Sequence, residues 1–358
     1  MAESKLRRLR AAFTLIEMLV SVAILSLILV VVASIADQTR RTWSFTNSKI
    51  EQFSGARTAF ETVTRQLSQA TLNSYWDYVN ASGVARSSSN ASTFIPASYA
   101  RQSELRFVTG FTANLAAGLP QNSNPRPFHA VFFQAPLGYS EPMASTGVQL
   151  TGLDSLLNSL GYFVEFNSDT SYEPSFLGTV NTIKPRYRFR LMQFLEPANS
   201  FSVYSYTSGQ PTYDKMQWFE SAFGTPGATP DHILAENILA LILLPKLSAE
   251  EDPTGASIAP AYAYDTANAT DQTTINQLPP EVQLTLVAID EASANRLAVL
   301  NGSNMPPVLS GSNLFTSASQ YSADIQTVET TLTQQHINFR LFTTNAIIRA
   351  AKWSGTQQ

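Results

Sequence analysis

The hydrophobic positions near the start of the chain form one long run, residues 13–36, in which the only charged side chain is Glu17. About 24 residues at a helical rise of ~1.5 Å span about 36 Å, enough to cross a hydrocarbon core of ~30 Å. A carboxylate inside a helix of this kind costs about 2.5–3.5 kcal/mol. The pattern therefore predicts a membrane-spanning helix in which Glu17 has a specific role.

Helical periodicity continues beyond the apolar run, over residues 37–72. This segment has no proline and one glycine, Gly55, where a bend is expected. Its apolar residues recur at helical spacing: Trp43, Ile50, Phe53, Phe60, Val63, Leu67 and Ala70. We therefore predict a single helix that reaches about Leu72, whose amphipathic second half packs under a β-sheet.

The next segment, residues 73–101, is rich in Ser, Asn and Ala and is predicted to be a loop. Tyr75, Trp76 and Tyr78 stand at its start. We expect these rings to fill the junction between helix and sheet, with sugar binding as the alternative.

Strand patterns follow at irregular spacing, over residues 104–109, 129–134, 162–166 and 186–194. In the last of these, Arg186, Arg188 and Arg190 alternate with apolar side chains. This alternation predicts a half-buried strand with a solvated basic face; the alternative is a face that contacts an anion or a partner.

The C-terminal third has the strongest strand patterns. Residues 237–247 are almost continuously apolar and predict a central buried strand, residues 278–290 alternate strictly, and residues 338–349 form a last strand. Residues 293–300 and 324–335 are predicted helices.

Long loops rich in proline, glycine and serine separate the strands, and one of them, residues 197–230, contains many aromatic residues. A short helix over residues 213–223 that buries the aromatic side chains is preferred to an exposed binding patch. The predicted fold class is α+β. A leader (residues 1–12) precedes the two helical halves (13–36 and 37–72), and a β-rich domain (73–350) and a tail (351–358) follow.

Composition narrows the function classes. The 358 residues include 44% hydrophobic and only 14% charged side chains, and there is no cysteine, which excludes disulfides and cysteine-ligated metals. With a net charge of −4 and +3 from the side chains of residues 1–12, the rest of the chain carries about −7. An acidic remainder argues against nucleic-acid binding.

Three interpretations compete for residues 1–36, where a basic leader precedes the apolar run. A secretory signal peptide could be cleaved after Ala36, but the run is longer than the usual apolar region and contains Glu17. An ordinary membrane anchor would place the basic N-terminus in the cytoplasm and the rest of the chain outside. Neither interpretation explains the position of the carboxylate.

The third interpretation rests on the sequence Ala-Phe-Thr-Leu-Ile-Glu at residues 12–17, which resembles the prepilin cleavage and methylation motif of type IV pilins and type II secretion pseudopilins. The resemblance implies that a prepilin peptidase cleaves between Ala12 and Phe13 and methylates the new amine of Phe13. Glu17 then becomes the fifth mature residue, and the α-amine can compensate its charge. The sequence departs from the usual motif at Ala12, where glycine is common.

Residues 235–350 carry a narrower resemblance, to J-type minor pseudopilins and W-type minor pilins. It rests on Ala-Glu-Asn-Ile at 235–238, Leu-Pro-Pro-Glu-Val-Gln-Leu-Thr-Leu at 278–286 and Phe-Thr-Thr-Asn-Ala-Ile-Ile-Arg at 342–349. The loop at 247–265 is most similar to the Verru_Chthon cassette protein C family. These resemblances imply a long N-terminal helix and an enlarged antiparallel β-domain with long loops.

No catalytic motif is present, and the three histidines, His129, His232 and His336, are far apart in sequence. We therefore expect no enzymatic activity and no cofactor. A polar loop contains four acidic residues that could offer oxygen ligands to calcium, although a solvated acidic turn is the default interpretation: Glu250, Glu251, Asp252 and Asp265.

The sequence thus predicts a structural subunit, a minor pilin or pseudopilin, anchored in the inner membrane with its C-terminal domain in the periplasm or in an extracellular filament. Its expected partners are the prepilin peptidase and other pilin or pseudopilin subunits, with Glu17 setting the register between them. The alternative is a membrane-anchored adhesin or polysaccharide-binding protein that uses the aromatic residues of the 197–230 loop.

Overall fold

The computed structural model describes residues 15–87, 89–119, 122–142, 153, 155–172, 185–207, 210–213, 218–224, 231–268, 274–309 and 313–354. The fold is α+β, with an apolar N-terminal helix and a domain rich in antiparallel sheets, as the sequence predicted. The chain divides into two compact units, the first ending at Gln52 and the second beginning at Phe53.

The described residues form five α-helices: α1 (Leu15–Gln52), α2 (Ser54–Leu67), α3 (Thr112–Leu115), α4 (Glu291–Asn301) and α5 (Tyr321–Gln334). The expectation of one helix reaching Leu72 is wrong. Phe53 adopts φ −108° and ψ 4°, which interrupts the helix next to the poor helix former Gly55, and α2 ends at Leu67. The helices predicted over 293–300 and 324–335 are confirmed as α4 and α5.

The described strands are β1 (Tyr75–Val79), β2 (Ser98–Gln102), β3 (Val108–Phe111), β4 (His129–Pro136), β5 (Leu157–Ser168), β6 (Tyr187–Glu196), β7 (Tyr204–Thr207), β8 (Gln210–Tyr213), β9 (Asp231–Glu236), β10 (Ile238–Lys246), β11 (Tyr264–Asp265), β12 (Glu281–Ile289) and β13 (Phe339–Ile347). They form a six-stranded sheet in the order β11-β3-β4-β5-β6-β9, a three-stranded sheet in the order β10-β12-β13, and two hairpins, β1-β2 and β7-β8. All pairs are antiparallel.

Strand β3 starts later than the sequence pattern suggested, at Val108 and not at residue 104. The backbone N–H groups of Arg106 and Phe107 donate to side chains, to Gln134 Oε1 at 3.0 Å and to Thr266 Oγ1 at 2.9 Å. Side-chain acceptors therefore satisfy the backbone where ladder hydrogen bonds were expected.

Helix α2 packs against the β-domain through small and apolar side chains, among them Ala59, Val63 and Leu67, which are buried. The ring of Phe60 lies 5.6 Å from that of Phe342 on β13. The Tyr162 hydroxyl of β5 donates to Gln66. The amphipathic stripe is thus confirmed from Phe53 to Ala70; the side chains of Trp43 and Ile50 lie outside the described residues.

Strand β10 is buried along its length, as predicted, but it lies at the edge of its sheet and not at the centre. Its edge does not face water, because β10 packs on β4. There the backbone N–H of Leu243 donates to His129 Nδ1 at 3.2 Å. A side chain thus satisfies an edge N–H group that would otherwise be buried without a partner.

Two segments predicted as loops contain hairpins. The first, residues 73–101, contains β1 and all of β2 but its last residue, and the second, residues 197–230, contains β7 and β8. Both hairpins are short and stand apart from the two larger sheets in hydrogen bonding. The alternating pattern of β1 and β2 is weak because most of their residues are exposed or half-buried.

Candidate functional site

The first candidate site is the start of α1. Glu17 lies in the first turn of α1, where a carboxylate is favoured by the partial positive charge of the helix N-terminus. One turn further on, the Ser21 hydroxyl donates to the Glu17 backbone carbonyl at 2.7 Å. The predicted cleavage site, Ala12 and Phe13, lies outside the described residues.

The first part of helix α1, from Leu15 to Ala36, presents apolar side chains on every side. From Leu15 to Arg40 all side chains are exposed, and this segment is long and apolar enough to cross a membrane. A helix that is apolar all round suits a lipid or helix-bundle environment and not water. The segment is the only one of its kind among the residues that the structure describes.

The arginine side chains of strand β6 form neither the predicted solvated face nor a face open to an anion or a partner. Arg188 and Arg190 are buried, so the predicted solvated face is wrong for these two side chains, which are not available to an outside anion. Arg186, just before the strand, is exposed and donates to Asp169 Oδ2 at 3.0 Å. Arg190 Nε donates to Glu236 Oε1 at 3.1 Å, and Arg188 donates to Glu291 Oε1 at 3.3 Å. Carboxylates from β9 and α4 thus compensate cations that the strand pattern alone placed in water.

Another ion pair, with both of its side chains buried, lies on the same face of the six-stranded sheet, because Glu165 of β5 pairs with Arg190 of β6. Arg126 Nε donates to Glu165 Oε2 at 2.8 Å, and the second carboxylate oxygen accepts from Asn124 and Asn167, each at 2.9 Å. The Arg126 guanidinium lies 5.1 Å from the centroid of the Phe223 ring. With both charges hydrogen-bonded, this group is a packed part of the domain interior.

The three histidines are not brought together. His129 is buried between the rings of Phe111 and Tyr262, and burial lowers its pKa to about 3, an effect that its hydrogen bond to the Phe315 carbonyl opposes only partly. His232 and His336 are exposed. His129 is therefore neutral near pH 7, with Nε2–H donating to Phe315 and Nδ1 accepting from the backbone.

The acidic residues of the 248–277 loop have separate partners. The carboxylate of Asp252 accepts from Thr254 and Ser257, and these hydrogen bonds lower its pKa. The carboxylate of Asp265 accepts hydrogen bonds from Nε and Nη2 of Arg106, at 2.9 and 2.8 Å. Among the described residues, no group of three or more His, Asp or Glu side chains is arranged to hold a metal ion. Glu250 and Glu251 are exposed.

The aromatic residues at the end of the 197–230 segment are buried, as preferred from the sequence, although residues 220–223 form one 3₁₀ turn and not a full helix. The rings of Trp218, Phe219 and Phe223 surround Phe132 of β4. These three rings cannot act as an exposed binding patch. They therefore give no support to an adhesin or polysaccharide-binding protein that would bind its ligand through them.

The aromatic residues of the β1–β2 hairpin are exposed, which corrects the expectation that they fill a junction. Tyr75, Trp76, Tyr78 and Tyr99 have between 44% and 58% of their surface accessible. The sequence held a signal for this hairpin: Trp76 and Tyr78 alternate along one strand, and Tyr99 and Arg101 alternate along the other. The intervening residues 80–97 are rich in Ser, Asn and Ala, which made the pattern resemble a loop.

The comparisons with known proteins concern the N-terminus. Residues 7–33 match the family described as the prokaryotic N-terminal methylation motif. The chain matches no curated protein and no solved structure.

The family match and the apolar helix α1 cover the same part of the chain. The motif covers Glu17 and most of the apolar segment, so it supports a prepilin-like family and a membrane-anchored protein with a pilin-like N-terminal helix; within the described part of the chain, this helix is the one candidate membrane span. The motif implies processing by a prepilin peptidase and assembly with other pilin subunits.

Proposed function

We propose that this chain is a minor pilin or pseudopilin, a structural subunit of a type IV pilus or of a type II secretion-like filament, and not an enzyme. The observation that carries the proposal is the coincidence of the methylation motif at residues 7–33 with an exposed apolar helix that begins at Leu15.

In this proposal the prepilin peptidase cleaves between Ala12 and Phe13 and methylates the new α-amine. Glu17 is then the fifth residue of the mature chain. A carboxylate in an apolar bundle is costly alone but is stabilised by a neighbouring ammonium group. Glu17 therefore sets the axial register between subunits whose helices pack head to tail in an open filament.

The size of the second unit supports a minor role. This unit begins at Phe53 and contains a six-stranded and a three-stranded sheet. A domain of this size restricts the lateral packing of subunits along a filament shaft. Residues 235–350 resemble J-type pseudopilins, W-type pilins and the Verru_Chthon cassette protein C family, which agrees with a position at a filament tip. The basic leader favours a cytoplasmic N-terminus, with the β-domain outside the inner membrane.

The proposal is tested by producing the full chain in cells with and without an active prepilin peptidase and determining the N-terminus by mass spectrometry. With the peptidase, the first residue should be a methylated Phe13; without it, residues 1–12 should remain. A retained leader in cells that process another prepilin would overturn the proposal.

The role of Glu17 is tested separately. Glu17→Gln removes the charge with little change of shape and should block incorporation into filaments while leaving cleavage intact. Ser21→Ala, one helical turn away, is the matched control and should assemble normally. Normal assembly of the Glu17→Gln chain would refute the register role.

A further inference from the structure

A cleft of about 440 Å³ lies beside the β1–β2 hairpin. Its size falls within the range of ordinary small-ligand sites, about 300–1,000 Å³. The described lining contains two cations, Arg101 and Lys352, and no carboxylate. The lining residues that concern the ligand are Ser74, Trp76, Arg101 and Lys352.

The hairpin presents one aromatic face next to this cleft. Trp76 pairs with Arg101, and Tyr78 pairs with Tyr99, so all four side chains project from the same side of the ribbon. The rings of Tyr78 and Tyr99 lie 4.4 Å apart, with their hydroxyl groups hydrogen-bonded at 2.7 Å. The Arg101 guanidinium carbon lies 5.5 Å from the centroid of the Trp76 ring.

Folding alone does not account for this face. Trp76 is 50% exposed, and each Å² of apolar surface left in water forgoes about 25 cal/mol of stabilisation. Contiguous exposed apolar surface rimmed by polar groups is typical of binding sites.

The backbone holds the cationic side of the cleft in place. Asn276 is buried and its Nδ2 donates to the Arg101 carbonyl at 2.7 Å, which fixes β2 at the cleft edge. Gln277 donates to the Ser354 carbonyl at 3.1 Å and accepts from the Ser354 N–H at 3.0 Å, and thereby fastens the segment that carries Lys352. Two separate parts of the chain thus bring one cation each to the same cleft.

We propose that this cleft binds a saccharide that carries a carboxylate, such as a terminal uronic acid. The apolar C–H face of a pyranose ring stacks on the exposed part of the Trp76 ring. The planar Arg101 guanidinium offers paired N–H donors that match a carboxylate, and Lys352 adds a second positive charge. Ser74 supplies a hydroxyl group for the polar edge of the sugar.

The charge distribution favours a ligand with one carboxylate over a polyanion. Only two cations line the described cleft, while the chain beyond residue 12 carries about −7. Aromatic rings with basic residues also occur in single-strand nucleic-acid sites, but those sites have a positive groove that follows many phosphates. Nucleic acid is therefore the competing outcome that the experiment must separate.

The inference goes beyond the proposed function, since a site on the hairpin does not depend on how the N-terminus is processed. The full chain in detergent micelles is titrated by calorimetry with glucuronosyl-β-1,4-glucose and with cellobiose, which lacks the carboxylate but has the same ring skeleton. We expect saturable binding of the acidic disaccharide, about tenfold tighter than that of cellobiose.

Three variants locate the site. Trp76→Ala should weaken binding of the acidic disaccharide at least about tenfold through loss of ring stacking, whereas Trp76→Phe keeps a ring and should stay within about threefold of wild type. Arg101→Gln should bring the two disaccharides to nearly equal affinity. Arg340→Gln is the matched control, because Arg340 also lies 5.5 Å from an aromatic ring, that of Phe342, at another place in the fold.

Three results with the wild-type chain would overturn the proposal, and so would a fourth with a variant. The first is no saturable binding of the acidic disaccharide, and the second is equal binding of both disaccharides by the wild-type chain. The third is tighter binding of an oligothymidylate than of the acidic disaccharide, which would assign the cleft to nucleic acid. Unchanged binding in a folded Trp76→Ala chain, with circular dichroism as wild type, would place the site elsewhere and so contradict the proposal as well.

Discussion

The aromatic residues at 218–223 and those of the β1–β2 hairpin have similar composition but opposite surroundings. Trp218, Phe219 and Phe223 are almost fully buried, whereas Trp76 and Tyr99 each expose half of their surface or more. The first group has a partner surface, the ring of Phe132 in the middle of the six-stranded sheet. The comparison shows that a distant strand, and not local composition, decides whether an aromatic cluster is core or surface.

The arginine residues that contact the two aromatic groups also differ in their surroundings. Arg126 contacts the buried group and is held by the Glu165 carboxylate, 2.8 Å away. Arg101 contacts the exposed group, in a cleft whose described lining has no carboxylate. A buried cation must be compensated within the protein, whereas a half-buried one such as Arg101, at the edge of an open cleft, remains able to bind an external anion.

The strongest test of the comparison is removal of the ring on which the buried group packs. Phe132→Ala should lower the free energy of unfolding by about 3–5 kcal/mol, because five rings contact Phe132 and a cavity would remain. Denaturant unfolding of the full chain in micelles, followed by near-ultraviolet circular dichroism, measures the loss. A loss below about 1 kcal/mol would mean that the cluster is loosely packed.

The second test concerns a titratable group among buried rings. The folded pKa of His129, about 3, lies below the ordinary value of 6.5, so below pH 6.5 the unfolded chain binds a proton that the folded chain does not. Stability contributed by neutral His129 is present above pH 6.5 and should fall by about 3 kcal/mol between pH 6.5 and pH 4.

The measurement for His129 is the free energy of unfolding as a function of pH, compared with that of His129→Gln. The variant lacks the imidazole. Between pH 6.5 and pH 4 its free energy of unfolding should therefore fall by about 3 kcal/mol less than that of the wild-type chain. Since both chains retain the same carboxylates, parallel curves would contradict the assignment to His129.

A smaller loss should follow from Gly161→Ala. A methyl group on Gly161 would overlap the ring of Phe132, and the surrounding rings leave Phe132 little room to move. Overpacking of this kind costs about 1–3 kcal/mol. Gly55→Ala is the matched control, since nothing lies near the added methyl group there and helix propensity should rise. Equal stabilities of the two variants would show that Phe132 can move aside.

The smallest effect is expected for the exposed group. Trp76→Ala and Tyr99→Ala should each change the free energy of unfolding by less than about 0.5 kcal/mol, because half or more of each ring is already in water. The same denaturant titrations measure both variants. A loss above about 2 kcal/mol would show that these rings stabilise the fold as core residues do, which would contradict the difference drawn between the hairpin and the rings around Phe132.

Much of the fold followed from local pattern. The apolar run around Glu17, the alternating strand β12 and the helix α4 were predictable because membrane length, period-2 alternation and the capping residue Asp290 act within a few residues. Asp290 accepts from the Ser293 N–H at 2.8 Å, a local contact that fixes the start of α4.

Apart from the helix break at Phe53, which has a local cause, the main failures depended on residues distant in sequence. The burial of Arg190 depends on Glu236, 46 positions away, and the edge position of β10 depends on His129, 114 positions away. The exposed hairpin was missed because its two strands are separated by a long polar connection. Of the candidate residues, Glu17 rests on local pattern alone, since its place in the apolar run is read directly from the sequence, and its role in assembly stays a prediction.

The hydrogen bond from Leu243 to His129 has a further consequence. The amide proton of Leu243 is held by an imidazole of the other sheet and not by a neighbouring strand. Its exchange with deuterium therefore requires the two sheets to come apart, whereas ladder amides of the hairpins require only local fraying. The exchange rate of this single amide reports on the opening of the interior between the sheets.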